Sequence, residues 1–214
     1  MTKFAYGKVT SDGTSRVTTT DAGGNKSDVV TDARGLETSI TDYAGGTTAG
    51  IQKTYEYDWE GNVTAVDYAG TGSELTGLTF EYDSSRKLTK IKAKTGGLLS
   101  DTVREYSYDD QDRVSTIRDH YAFTGSGSYL EKSYTYDDFG RVTSMAYRGG
   151  SGHNDIREAY VYTYDRNNNI KSERIVSDYE QNGEGEGKDI TRAYTYDTAG
   201  RLTETREMRL PEPE

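Results

Sequence analysis

The stretch that decides the fold is "YTYDDFGRVTSMAYR", Tyr134 to Arg148, most of which returns as "YTYDTAGRLTETREM", Tyr194 to Met208. Tyr134 and Tyr136 stand three and one residues before Asp137. Side chains of an extended strand alternate between faces, so both rings share one face. Gly140 follows three residues after the aspartate. Asp at the first and Gly at the fourth position suits a type I turn ending in a left-handed residue. The stretch therefore reads as strand, tight turn, strand.

Alignment on the aspartate brings six clear copies into register. They are "YEYDWEGNVTAV" (Tyr55, Tyr57, Asp58, Gly61), "FEYDSSRKLTKI" (Phe80, Tyr82, Asp83), "YSYDDQDRVSTI" (Tyr106, Tyr108, Asp109), the opening stretch (Tyr134, Tyr136, Asp137, Gly140), "YTYDRNNNIKSE" (Tyr162, Tyr164, Asp165) and "YTYDTAGRLTET" (Tyr194, Tyr196, Asp197, Gly200). The aspartates step by 25, 26, 28, 28 and 32 residues. Two degraded copies precede them, "VVTDARGLETSI" around Asp32 with Gly35, and "KVTSDGTSRVTT" around Asp12 with Ser15 in the glycine's place. The glycines Gly35, Gly61, Gly140 and Gly200 are expected at positive φ. Where the glycine is replaced, Asp112 and Asn168 tolerate that region, and Arg86 and Ser15 do so less readily.

Residues 1–50 thus read as divergent opening repeats, 51–210 as a regular array and 211–214 as a polar tail, within one continuous repeat domain. The stretches "AGTGSELTG", "KTGGLLS", "FTGSGS", "RGGSGHND" and "QNGEGEGKD" vary in length and read as loops at the far ends of the hairpins. Strands of about 9 residues at ~3.4 Å each are expected, in a twisted and coiled antiparallel ribbon of eight hairpins.

Composition sets the interior. Leu, Ile, Val and Phe total only 32 of 214 residues and mean hydropathy is -0.90, a balance typical of disorder. The 19 tyrosines answer this, since each buries a ring while its hydroxyl keeps a partner. A net charge of -10 with scattered Lys and Arg argues against a nucleic-acid surface. Zero cysteines excludes disulfides and thiolate chemistry. No apolar run is long enough for a membrane span, and the N-terminus lacks a signal-peptide core.

The motif Tyr-x-Tyr-Asp-x-x-Gly-Arg, in "YTYDDFGRV" and "YTYDTAGRL", resembles the YD repeat of the RHS family, shared with the shell components of bacterial Tc toxins and with teneurins. The resemblance spans residues 55–205, and "TDARGLE" from Thr31 is similar to the divergent units that open such arrays. It implies an all-β, spiralling sheet that encloses a toxin or serves cell-surface contact, and a secreted or cell-surface location. No self-cleaving segment follows the array, and eight repeats are too few to close such a shell, so a section of a longer array is expected.

The candidate chemistry is sparse. The motif aspartates sit at turns, where a carboxylate accepts backbone N–H bonds. The run "DRNNNI" from Asp165 opens like a calcium loop, but Ile170 stands at the required glycine and Val176 at the twelfth position. His120 and His153 lack companion ligands. The stretch "GGSGH" resembles a nucleophile elbow only loosely, leaving Ser151 without a case. Asn25 and Asn62 head formal glycosylation sequons. Trp59 lies in a turn and reads as a cap on the tyrosine row.

The sequence therefore reads as a non-enzymatic scaffold without cofactor or metal, its tyrosines aligned in rows of adjacent rings. Its expected partners are adjoining repeats and copies paired through sheet edges, with no nucleic acid and no membrane insertion. The low charge of "KVTSD" and "SRVTT" marks the N-terminal edge for self-association, whereas "RLPEPE" opposes strand addition at the other end. The alternative is a carbohydrate- or receptor-binding adhesin using Tyr147, Tyr121 or Trp59 as stacking platforms.

Overall fold

The structure is a computed structural model describing residues 2–7, 11, 13–44, 50–69, 75–95, 98–120, 129–149, 156–177 and 188–209. Two compact units divide at Val103 and Arg104. The first holds β1 (Lys3–Tyr6), β2 (Ser15–Thr20), β3 (Lys26–Thr31), β4 (Glu37–Tyr43), β5 (Ile51–Tyr57), β6 (Val63–Ala69), β7 (Leu75–Tyr82) and β8 (Leu88–Thr95). The second holds β10 (Val114–Asp119), β11 (Leu130–Tyr136), β12 (Val142–Arg148), β13 (Ile156–Tyr164), β14 (Ile170–Ser177), β15 (Lys188–Tyr196) and β16 (Leu202–Arg209), and β9 (Leu98–Tyr108) runs through the division. The fold is all-β: sixteen strands follow chain order in one unclosed antiparallel sheet.

One register recurs. Inside a hairpin the tyrosine just before the aspartate faces the residue five after it, as in Tyr57↔Val63, Tyr136↔Val142 and Tyr164↔Ile170, with a bulge alongside. The bulge absorbs the extra residue of the turn. Between hairpins, the residue seven after one aspartate faces the residue four before the next. In the first unit these rungs are Ser39↔Thr54 and Ala65↔Thr79; in the second they are Thr116↔Ser133, Ser144↔Val161 and Ser172↔Ala193.

Burial alternates as the period-2 pattern requires. Tyr55, Tyr57, Phe80, Tyr82, Tyr134 and Tyr136 are half-buried, and the residue between each pair, Glu56, Glu81 or Thr135, is exposed. Buried apolar positions are small or aliphatic: Ala65, Val66 and Ala93 in the first unit, Ala146 and Ile190 in the second. Gly77 lies inside β7 for a steric reason, since a Cβ there would stand 2.5 Å from the Val66 carbonyl oxygen.

Several expectations change. Asp12 lies outside the described residues, and Ser15 is no turn residue but opens β2. Gly7 holds the aspartate's place, because its N–H donates to the Arg16 carbonyl at 2.6 Å and Tyr6 pairs with Val17. The hairpin loop there is longer, and the left-handed residue is Gly13. A turn absent from the sequence reading closes β2 onto β3: Asp21 N–H donates to Asn25 C=O, and Gly24 has φ 82°. It lacks a tyrosine, so alignment on the motif passed over it. Strands also extend into four stretches read as loops, with Leu75 and Gly77 in β7, Leu98 in β9, Arg148 in β12 and Lys188 and Asp189 in β15. Described strands run from 4 residues in β1 to 11 in β9.

Candidate functional site

The recurring polar site is the aspartate turn. At Asp137, Oδ1 accepts the backbone N–H groups of Phe139 and Arg141, both at 2.9 Å, while Oδ2 accepts Arg141 Nε–H at 2.7 Å. The backbone closes around it, with Asp137 N–H donating to Arg141 C=O and Gly140 N–H to Asp137 C=O. Asp109 and Asp197 repeat the arrangement with Arg113 and Arg201. Asn62 and Asn169 replace the arginine at Asp58 and Asp165, each giving an amide N–H to Oδ2. At Asp83 the partner is Lys87.

Left-handed residues complete these turns. Gly35, Gly61, Gly140 and Gly200 have φ between 77° and 93°, and Arg86, Asp112 and Asn168 take the same region at 63–67°. The bonds hold the carboxyls below their ordinary value of 3.8. At Asp58 the Asn62 amide is the main cause. At Asp109 and Asp137 desolvation opposes the shift, and backbone and guanidinium donors outweigh it. A carboxylate occupied by three donors from its own turn is a structural acceptor.

A second set of contacts joins one hairpin to the next. The Tyr164 ring lies 4.5 Å from the Arg141 guanidinium, and its hydroxyl donates to the Val142 carbonyl at 2.6 Å. Tyr136 repeats both contacts, with Arg113 at 4.5 Å and the Val114 carbonyl at 2.7 Å. The hydroxyl bond alone recurs in Tyr82 to Val63 and Tyr196 to Ile170. At the divergent Asp32 copy Arg34 takes the arginine's part from two residues earlier in the turn, 6.0 Å from the Tyr57 ring. Its Nη1–H also donates to the Asp58 carbonyl. Each staple thus holds a guanidinium or a backbone carbonyl against the next copy's tyrosine.

This narrows the expected packing of tyrosine on tyrosine: Tyr160 and Tyr162 stack with ring centroids 6.4 Å apart, but the ring just before Asp137 and that before Asp165 meet a guanidinium. The ring three before the aspartate faces an aliphatic side in Tyr55↔Val66, Phe80↔Ile91, Tyr106↔Ile117 and Tyr134↔Met145. At Tyr162 and Tyr194 the opposite residues are Glu173 and Thr205. The arginine four after the aspartate stands in the motif without an assigned role; its recurrence in "GRV", "DRV" and "GRL" is the available signal.

The remaining candidates separate. Trp59 does not cap a tyrosine row, being 86% exposed, and Phe139 in an equivalent turn is 82% exposed. Tyr147 is half-buried beneath Lys132 Nζ at 5.6 Å. His120 lies 3.3 Å from Glu105 and tilts against Tyr129. Asp165 gives Oδ1 to the N–H groups of Asn167 and Asn169, so the near-calcium run is an ordinary copy of the turn. Among the described residues no group of three or more His, Cys, Asp or Glu is placed to hold a metal. Tyr121, Ser151 and His153 lie outside the described residues. Asn25 and Asn62 both commit their amides to turn aspartates.

No protein-family profile and no curated protein matches the sequence. Among solved structures, the chain is similar to the crystal structure of TcdB2-TccC3-TEV, with TM-score 0.63 and 18% identity over 96% of this chain and 11% of that one. The chain therefore spans about a tenth of that protein's length. The Tc holotoxin pore of Photorhabdus luminescens matches at TM-score 0.46 and 15% identity, over 94% of this chain and 14% of that one. A porin-like protein of Bacteroides uniformis follows at 0.32 and 13%, over 89% and 92%. The first of these establishes the shared fold.

Proposed function

We propose that the chain is a non-enzymatic YD-repeat scaffold, a section of a secreted or cell-surface shell or fibre that encloses cargo or mediates contact. The observation that carries this reading is the use of the motif's polar groups. The aspartate oxygens are taken up within the turn, and the arginine and tyrosine are spent on the neighbouring hairpin. Such a motif propagates a sheet and leaves little of itself for a substrate. The fold shared with TcdB2-TccC3 supports the same reading.

The exposed Trp59 and Phe139 favour one second reading, an adhesin in which turn-edge aromatics stack on sugar rings or a receptor. A glycan array probed with the purified chain and with Trp59→Ala separates the two. The scaffold reading expects no sugar retained by either form. Retention by the wild type that is lost in Trp59→Ala overturns it in favour of the adhesin.

A further inference from the structure

The staple has a direction: the tyrosine hydroxyl of one copy reaches back to a carbonyl of the copy before it, and at Tyr136 and Tyr164 the ring also meets that copy's arginine. Among the described residues, the first and last strands, β1 and β16, consequently present opposite halves of the staple. On β16, Arg201 is bound to Asp197 like its counterparts, yet its side chain is 81% exposed, against 25% for Arg113 and 24% for Arg141. Among the described residues no ring lies over it and no tyrosine hydroxyl reaches the Leu202 carbonyl. On β1, Tyr6 holds the tyrosine's place in its hairpin, since it pairs with Val17 and precedes the Gly7 N–H bond to Arg16. Its ring is 79% exposed, and Phe4, two residues earlier on the same face, is 61% exposed.

We infer that β1 of a second copy of this chain docks on the first residues of β16, ahead of the prolines of "RLPEPE" that oppose strand addition further along, placing Tyr6 over Arg201 with its hydroxyl on the Leu202 carbonyl. Sixteen strands make eight hairpins, so a strand added beside β16 runs antiparallel to it in the same sense as the tyrosine-bearing odd strands. The register follows from the recurring rung. Seven residues after Asp197 is Glu204, and four before Gly7 is Lys3, so Glu204 meets Lys3. The same rung in the first hairpin pair already joins a hydroxyl to a carboxylate, Thr18 to Asp28 at 2.5 Å. Here it joins opposite charges directly across two strands, which favours pairing. Glu204 is exposed, sharing its carboxylate with Arg206 of its own strand, and Lys3 is exposed. The contact is head-to-tail and not self-complementary, so it continues from copy to copy, into a ring or an open filament.

The inference rests on the scaffold reading for the staple's purpose, and it fails separately from it. Sedimentation velocity and light scattering on the full chain over about a 500-fold dilution series measure association. The wild type is expected to associate with rising concentration. Lys3→Glu and Glu204→Lys should each weaken association at least tenfold, and an equimolar mixture of the two should restore it to within about threefold, because each mutant end then meets a complementary one. Tyr6→Phe, which removes only an exposed hydroxyl, should weaken association several-fold with an unchanged melting temperature. A strict monomer throughout overturns the inference, as does assembly indifferent to the charge reversals and their mixing. In both cases a blank glycan array still leaves the scaffold reading standing.

Discussion

The Arg141 guanidinium bridges two hairpins: it binds Asp137 four residues earlier at 2.7 Å and lies 4.5 Å from the ring of Tyr164, 23 residues later. A planar guanidinium does both because its edge carries the donors and its face stacks on the ring. A further N–H of the same group reaches the side-chain oxygen of Asn168 at 2.8 Å in the following turn.

Arg141→Ala and Tyr164→Leu should therefore be coupled. A double-mutant cycle by urea denaturation is expected to show about 0.5–1 kcal/mol of interaction, the range of a partly exposed cation–π pair. Arg141→Lys should recover little, since an ammonium cannot bind edge-on and stack at once. Purely additive losses would show that the two hairpins are joined by the backbone ladder alone.

The left-handed turn position offers a test in both directions. Gly140 has open space around its missing Cβ, so Gly140→Ala is disfavoured by backbone conformation alone, by about 1–2 kcal/mol. Arg86 already occupies that conformation at φ 65°, and Arg86→Gly should stabilise by up to about 1 kcal/mol. Thermal melts of the two variants should shift in opposite directions.

Gly77 provides a different steric test. Gly77→Ala at ordinary backbone angles presses its Cβ on the Val66 carbonyl, and both it and Val66 are buried. The β6–β7 rung should open, seen as faster amide exchange on both strands while exchange on β3 and β4 is unchanged.

Stability should fall at both ends of the pH scale. The folded aspartates Asp58, Asp83, Asp109, Asp137, Asp165 and Asp197 all sit below 3.8, so the unfolded chain holds its protons more tightly. Their contribution is complete at neutral pH and is lost as pH drops below about 4 and through the folded values. Burial raises Tyr82, Tyr136 and Tyr164 above 10, and a hydrogen bond with Glu158 followed by burial takes Tyr160 to about 12. The tyrosine contribution is full below pH 10 and disappears as pH rises past it. Circular dichroism in acid and phenolate absorbance in base follow the two limbs, and Asp137→Asn should blunt only the acid one.

What the sequence disclosed was governed by distance along the chain. The bonds of Asp137 lie within four residues, so the turn and its left-handed Gly140 were legible from the pattern. The hold of Arg141 on Tyr164 crosses a loop and 23 residues, and although Arg113 and Tyr136 share that separation, nothing local to either residue marks the pair. Gly7 escapes the pattern because it lacks both the aspartate and the short loop, which leaves the motif alignment on Asp12 and Ser15 while Tyr6 keeps the role. Trp59 illustrates the opposite error: bulk suggested burial, but a turn residue one place past the aspartate points to solvent.

The rungs between hairpins keep one register although the aspartates step by anything from 25 to 32 residues. From Asp32 onward, length is thus added where β-strands reverse on the side away from the aspartates, and the stapled side stays in step. That makes the two borders of the ribbon unequal in what they can accept. A foreign loop or whole domain grafted between Arg148 and Ile156 would displace no tyrosine, whereas one residue added between Asp137 and Val142 would move Arg141 off its ring. A repeat array built this way acquires new surface along one border and keeps its architecture along the other.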